Sequence, residues 1–128
     1  MAVKILIVDD EEAILFAMER YLSTCGFDVD VANGSEAKSL IQNMQYMAII
    51  TDLRMGSDGG LAGLEVVRLA REKCPSTRTI VLTAYGTPSV EEEAASLGVD
   101  AFLHKPKPLP DIAQILLNLL EPTPGASV

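Results

Sequence analysis

Four short runs, ILIV at 5–8, MAIIT at 47–51, TIVLT at 79–83 and AFLH at 101–104, bring apolar residues together at consecutive positions. A strand with no polar face must be covered on both sides, and strands of that kind belong to parallel sheets. Between the runs, apolar residues recur at helical spacing. In EEAILFAMERYLSTCG (11–26) the stripe is Ile14, Ala17, Met18, Tyr21, Leu22 and Cys25, and Gly26 stops the helix. FDVDVA (27–32) alternates apolar and acidic residues, which predicts a fifth strand with one wet face at a sheet edge. Asn33-Gly34 reads as a turn, with Ser35 capping a helix that runs to about Met44. LEVVRLAREKC (64–74) reads as a helix closed by Pro75, and Thr87-Pro88 opens another that Gly98 ends. A last helix spans 110–121, with Pro122 just beyond it. Strands and helices that alternate in this way predict an α/β fold, a five-stranded parallel sheet with helices on both faces.

The 128 residues suffice for one domain, and 48% hydrophobic with 22% charged residues is ordinary globular composition. A net charge of −8 argues against a nucleic-acid surface, which needs clustered Lys and Arg. No apolar run is long enough to span a bilayer, and the N-terminus lacks the pattern of a secretory leader, so a cytoplasmic location is expected. Cys25 and Cys74 show neither CxxC spacing nor a companion His cluster and read as buried or half-buried free thiols. The tail TPGASV has linker composition.

Ligands of open α/β sheets bind beyond the carboxyl ends of the strands, so the residue that follows each strand matters most. The first strand gives Asp9 and Asp10, the third Asp52, the fourth Thr83 and the fifth Lys105, while the edge strand gives only Asn33-Gly34. Three carboxylates, a hydroxyl and an ammonium are thereby expected on one rim. Crowded carboxylates repel one another, so a positive partner belongs there. Hard oxygen ligands with open geometry suit Mg2+ or a similar divalent ion such as Mn2+. Three acids, one divalent cation and one ammonium sum to zero formal charge, leaving the site able to receive an anionic phosphoryl group. Asp52 can then serve as a nucleophile that forms an acyl phosphate.

VDDEE after the first strand, TDLRM around Asp52, LTAYG with Thr83 and DAFLHKP with Lys105 together resemble the receiver domain of two-component response regulators. The resemblance covers about residues 3–121, which makes 1–121 the receiver unit and 122–128 a linker or tail. It implies a flavodoxin-like sheet of order 2-1-3-4-5. It also implies that Asp52 accepts the phosphoryl group, that Asp9, Asp10, Asp52 and the Arg54 carbonyl hold Mg2+, and that Lys105 contacts the phosphoryl group. Thr83 and Phe102 match the family's switch hydroxyl and switch aromatic, and the Lys105–Pro106 bond is expected to be cis. The implied partners are a sensor histidine kinase or histidine phosphotransfer protein and a downstream effector, with a phosphorylation-linked dimer left open. The resemblance further implies slow self-dephosphorylation rather than enzymatic turnover. One departure stands out: Gly56 replaces the usual proline, and SDGGLAG lengthens the loop before Gly63-Leu64-Glu65 by about three residues. Its four glycines at 56, 59, 60 and 63 predict a mobile loop.

Plainer roles compete for several of these residues. Glu11 and Glu12 suit the first turn of a helix, where its dipole favours acids. Phe102 also fills core, His104 reads as structural or exposed, and Tyr85 and Arg54 line the rim. Two other functions use similar topology. A flavin carrier wants a hydroxyl- and glycine-rich phosphate loop where Asp9 and Asp10 stand, and an aspartyl phosphatase wants Asp-x-Asp where the chain has Asp9-Asp10-Glu11. The cognate kinase, the signal and the output are not written in these residues.

Overall fold

The computed structural model describes residues 3–54, 62–84 and 86–120. Ten elements alternate along them: β1 (Lys4–Val8), α1 (Glu12–Thr24), β2 (Asp28–Ala32), α2 (Gly34–Asn43), β3 (Ala48–Thr51), α3 (Ala62–Lys73), β4 (Arg78–Thr83), α4 (Pro88–Ser96), β5 (Ala101–His104) and α5 (Leu109–Leu120). The strands form one sheet of order β2-β1-β3-β4-β5, with every neighbouring pair parallel. This is the expected α/β topology. The order reverses between β1 and β3, so the chain leaves those two strands toward opposite edges and opens a crevice above their carboxyl ends.

Side-chain alternation along the strands sorts the core into two layers. Ile5, Ile7, Ile50, Ile80 and Leu82 pack against Met18 and Leu22 of α1 and Ile112 and Leu116 of α5. On the opposite face, Leu6, Val8 and Ile49 meet Ala37 and Ile41 of α2 and Val66 and Ala70 of α3. A third cluster continues that face toward β5, joining Leu53, Leu64, Val67, Val81 and Ala94, with Val90 and Phe102 packed against it. Among the described residues, no helix is long and apolar enough to cross a membrane.

Several local expectations need correction. The N-cap of α2 is Asn33, not Ser35: Asn33 Oδ1 accepts from the Glu36 amide at 3.0 Å, while Glu36 Oε1 accepts from the Asn33 amide at 2.9 Å. Ser35 donates its hydroxyl to Asn33 Oδ1 instead, at 2.8 Å. The reciprocal pair satisfies two orphan amides at once, which a cap at Ser35 cannot do. Cys25 is exposed rather than buried, whereas Cys74 is half-buried; both are free thiols. Cys25 lies past the last turn of α1, where the stripe no longer faces the sheet. Gly26 and Gly98 follow the ends of α1 and α4 with φ of 103° and 86°, as helix-stopping glycines do. Helix α3 already includes Ala62 and Gly63, two residues earlier than the apolar stripe indicated. The glycine-rich segment from Gly56 to Leu61, Tyr85 and the tail 122–128 lie outside the described residues.

Candidate functional site

Asp9 follows β1, Asp52 follows β3 and Lys105 follows β5, and the sheet register brings all three side chains together. The Lys105 ammonium donates to Asp9 Oδ2 at 2.8 Å and to Asp52 Oδ2 at 3.0 Å. Each carboxylate turns its other oxygen to backbone: Asp9 Oδ1 accepts from the Glu11 amide at 2.9 Å, and Asp52 Oδ1 from the Leu53 amide at 2.7 Å. Both rotamers are thus fixed at one end by the chain and at the other by a shared cation. The side chains are 6% exposed for each acid and 14% for the lysine.

Burial by itself lowers the Lys105 pKa, yet the bonds and charges of Asp9 and Asp52 outweigh it and hold the ammonium above its usual value. Lys105 supplies one positive charge to the two buried acids it bonds. Asp10, the residue after Asp9, is exposed and adds a third acid at the rim. This donor set fits a hard divalent cation. Among the described residues no group of three or more His, Cys, Asp or Glu side chains converges as a ready-made metal cage. Mg2+ does not require one, because it is commonly held by one or two carboxylates and keeps several waters. Arg54 is exposed at the end of the Asp52 segment.

The backbone beneath Asp52 is set by α3. The Gly63 amide donates to the Leu53 carbonyl at 2.9 Å, and a Cβ on Gly63 would fall 1.9 Å from the Asp52 carbonyl oxygen. Only a glycine lets this helix start so close to the Asp52 backbone. The motif Gly63-Leu64-Glu65 is visible in the sequence, but this role is not, because it depends on how α3 docks.

Thr83 ends β4, fully buried, and its carbonyl accepts from the Lys105 amide at 2.9 Å. Phe102 lies half-buried on β5 and, like Val90, Leu97 and Val99, packs against the cluster of Leu53, Leu64, Val67, Val81 and Ala94 on the α4 side of the sheet. The peptide bond between Lys105 and Pro106 is cis. His104, read from sequence as structural or exposed, is exposed and hydrogen-bonded to Glu91 Oε1 at 2.7 Å. On the other face of the sheet, an apolar cavity of about 470 Å3 between α1 and α5 is bounded by Met18, Leu82, Pro106 and Ile112 and meets the site only at Lys105.

Residues 5–117 match the family model of the response regulator receiver domain. The chain is 36% identical over 121 residues to the photosynthetic apparatus regulatory protein RegA of Rhodobacter capsulatus, covering 94% of this chain and 64% of that protein. Here, as with other curated relatives, the chain spans less than two-thirds of the relative's length. A CheY-like receiver domain from Methanospirillum hungatei superposes with a TM-score of 0.88 at 25% identity, covering 94% of each chain. A Burkholderia pseudomallei response regulator, crystallised with a phosphorylated aspartic acid, a calcium ion and citrate, superposes at 0.80 with 29% identity over 98% of this chain and 69% of its own.

Proposed function

Because the chain belongs to the response regulator receiver family of two-component systems, we propose that Asp52 is its phosphoryl acceptor and that residues 1–121 work as a signalling switch, with 122–128 as a linker or tail. The observation that carries this reading is the Lys105 bridge between two buried carboxylates, each anchored by a backbone amide. A nucleophile held in one rotamer beside a fixed cation is prepared for phosphoryl transfer, where positioning and charge stabilisation supply most of the catalysis.

Asp52 Oδ2 attacks the phosphorus of a phosphohistidine on a kinase or phosphotransfer protein. The O–P bond forms as the P–N bond breaks, and that electron pair returns to the imidazole nitrogen. Lys105 then turns from the Asp52 carboxylate to a phosphoryl oxygen. Asp9, Asp10, Asp52 and the Arg54 carbonyl are suited to holding Mg2+, or Mn2+ in its place, and the bound ion would neutralise charge on the phosphoryl oxygens. The Burkholderia relative, whose structure holds both a phosphorylated aspartic acid and a calcium ion, supports the pairing of an acyl phosphate with a divalent cation. Thr83, buried at the end of β4, supplies a hydroxyl for a phosphoryl oxygen, and Phe102 follows that movement inward. Water hydrolyses the acyl phosphate slowly and resets the switch, in a cytoplasmic setting with a downstream effector as the reader of the state.

Intact mass after treatment with acetyl phosphate tests the assignment. One added phosphoryl group is expected with Mg2+ and none without a divalent ion. Uptake that persists in Asp52→Ala excludes this acceptor. A colourless purified protein and a single stoichiometric addition also set the switch apart from a flavin carrier and from a phosphatase with turnover.

A further inference from the structure

His104 occupies a crowded junction. In the parallel register it stands directly across from Thr83, as Phe102 stands across from Val81. Alternation along β5 places Phe102 and His104 on the same face, toward α4. Their rings are tilted by 58° with centroids 5.4 Å apart. The imidazole reaches onward to Glu91 in the first turn of α4, Nε2 to Oε1 at 2.7 Å. Glu91 offers an oxygen that only accepts when ionised, so Nε2 carries the proton and donates. Gly86, just before α4, lies against both rings: a Cβ on it would come within 2.7 Å of Phe102 Cε1 and 2.8 Å of His104 Cε1. Three parts of the molecule are therefore interlocked at one point, the aromatic of β5, Gly86 and the first turn of α4.

We infer that His104 and Glu91 form a latch that holds Phe102 and Gly86 in their present arrangement and opposes switching. Phe102 cannot swing inward without leaving the His104 ring, and Gly86, which lies against both rings, follows Thr83 by three residues. The Glu91 bond ties the His104 ring to α4, so displacing that ring strains a contact with the helix. Breaking the bond removes a cost that only this conformation's departure incurs, and the balance moves toward the alternative state. His104 and Glu91 act here as positioning residues for Thr83 and Phe102; neither touches the phosphoryl group. This inference rests on the proposed switch roles of those two residues. Because the pair is exposed, at 58% and 45% of side-chain area, its effect is modest, about three-fold in the equilibrium.

Two readouts on the full chain test the latch. The chain holds three phenylalanines, so 4-fluorophenylalanine labelling yields three fluorine resonances, and a Phe102→Leu variant identifies the one that matters. In protein without any phosphoryl mimic, Glu91→Ala and His104→Ala should each shift or split the Phe102 resonance, whereas Glu91→Gln, which keeps an acceptor oxygen, should leave it near its parental position. In the second readout, beryllofluoride is titrated in the presence of Mg2+. Each alanine variant should reach half-saturation at about three-fold lower mimic concentration, and the double variant should gain no more than either single one, as expected when two residues act through one bond. An unmoved Phe102 resonance in both alanine variants overturns the latch, as does half-saturation at parental or higher concentration. If the parent takes up no beryllofluoride, the phosphoacceptor proposal fails, and the fluorine resonance without the mimic still decides for or against the latch.

Discussion

Lys105 carries one positive charge against the two carboxylates it bonds, Asp9 at 2.8 Å and Asp52 at 3.0 Å. Removing one member of a buried ion pair leaves uncompensated charge in a poorly solvated place, at a cost of several kcal/mol. Lys105→Ala should therefore lower unfolding stability by about 3 kcal/mol, and Mg2+ should restore part of that loss by supplying the missing positive charge. Urea denaturation with and without Mg2+ measures both effects; a variant as stable as the parent would mean that the acids are not confined together. The sign of the pH dependence follows from the raised Lys105 pKa, which the acids push up against the lowering effect of burial. A group whose folded pKa lies above its unfolded value of 10.5 contributes fully below that value. The contribution is lost as pH rises through the folded value. The stability gap between parent and Lys105→Ala should thus be steady from neutral pH to about pH 10 and should narrow above it.

At the scale of the element, α3 is seated through Gly63. Its amide bonds the Leu53 carbonyl, and the missing side chain leaves room for the Asp52 carbonyl, 1.9 Å from where a Cβ would stand. Backbone cannot yield as a flexible side chain can, so Gly63→Ala must push the helix start away or move Asp52. Overpacking of this severity costs about 3 kcal/mol or more. The variant is expected to melt well below the parent and, where still folded, to accept phosphoryl groups more slowly, because the displaced segment carries Asp52, the proposed acceptor. Parental melting together with parental phosphorylation would show that α3 docks differently. The N-terminus of α2 illustrates the opposite case. There, the cap is set by four consecutive residues, Asn33 to Glu36, and needs nothing from the rest of the fold.

For the whole molecule, the acids at one end of the sheet are expected to couple folding to divalent ions, if they hold Mg2+ as proposed. A ligand that binds only the folded state stabilises it by about 2.7 kcal/mol at a hundred times its dissociation constant. Mg2+ should accordingly raise the melting temperature by several degrees, with the shift growing as the logarithm of concentration. Asp10 is exposed, and exposed charges are well screened. Asp10→Asn should leave the melting temperature without Mg2+ nearly unchanged, or slightly higher, while removing most of the Mg2+ response. Scanning calorimetry across a Mg2+ series makes the comparison, and an equal response in variant and parent would remove Asp10 from the metal site.

The alternation of strands and helices, the parallel sheet and the residue that ends each strand were all legible in the sequence. Consecutive apolar runs such as ILIV and the three- and four-residue spacing in α1 are local signals that short-range physics enforces. Strand order, the Arg54 carbonyl as a metal ligand and the cis bond at Pro106 were expected only through resemblance to a family, since no local pattern encodes them. The Asn33 capping box was present as Asn-x-x-Glu, but Ser35 offered a rival cap of the same chemical type. What the tertiary structure alone decided joins residues far apart in the chain: Lys105 to Asp9 and Asp52, Gly63 to the Asp52 carbonyl, Gly86 to two rings, and His104 to Glu91. Each of these depends on strand register and helix docking, which are set by the burial of the whole core. A sequence pattern records which face a residue takes on its own element, while the distance between two elements is decided only when both pack against the same sheet.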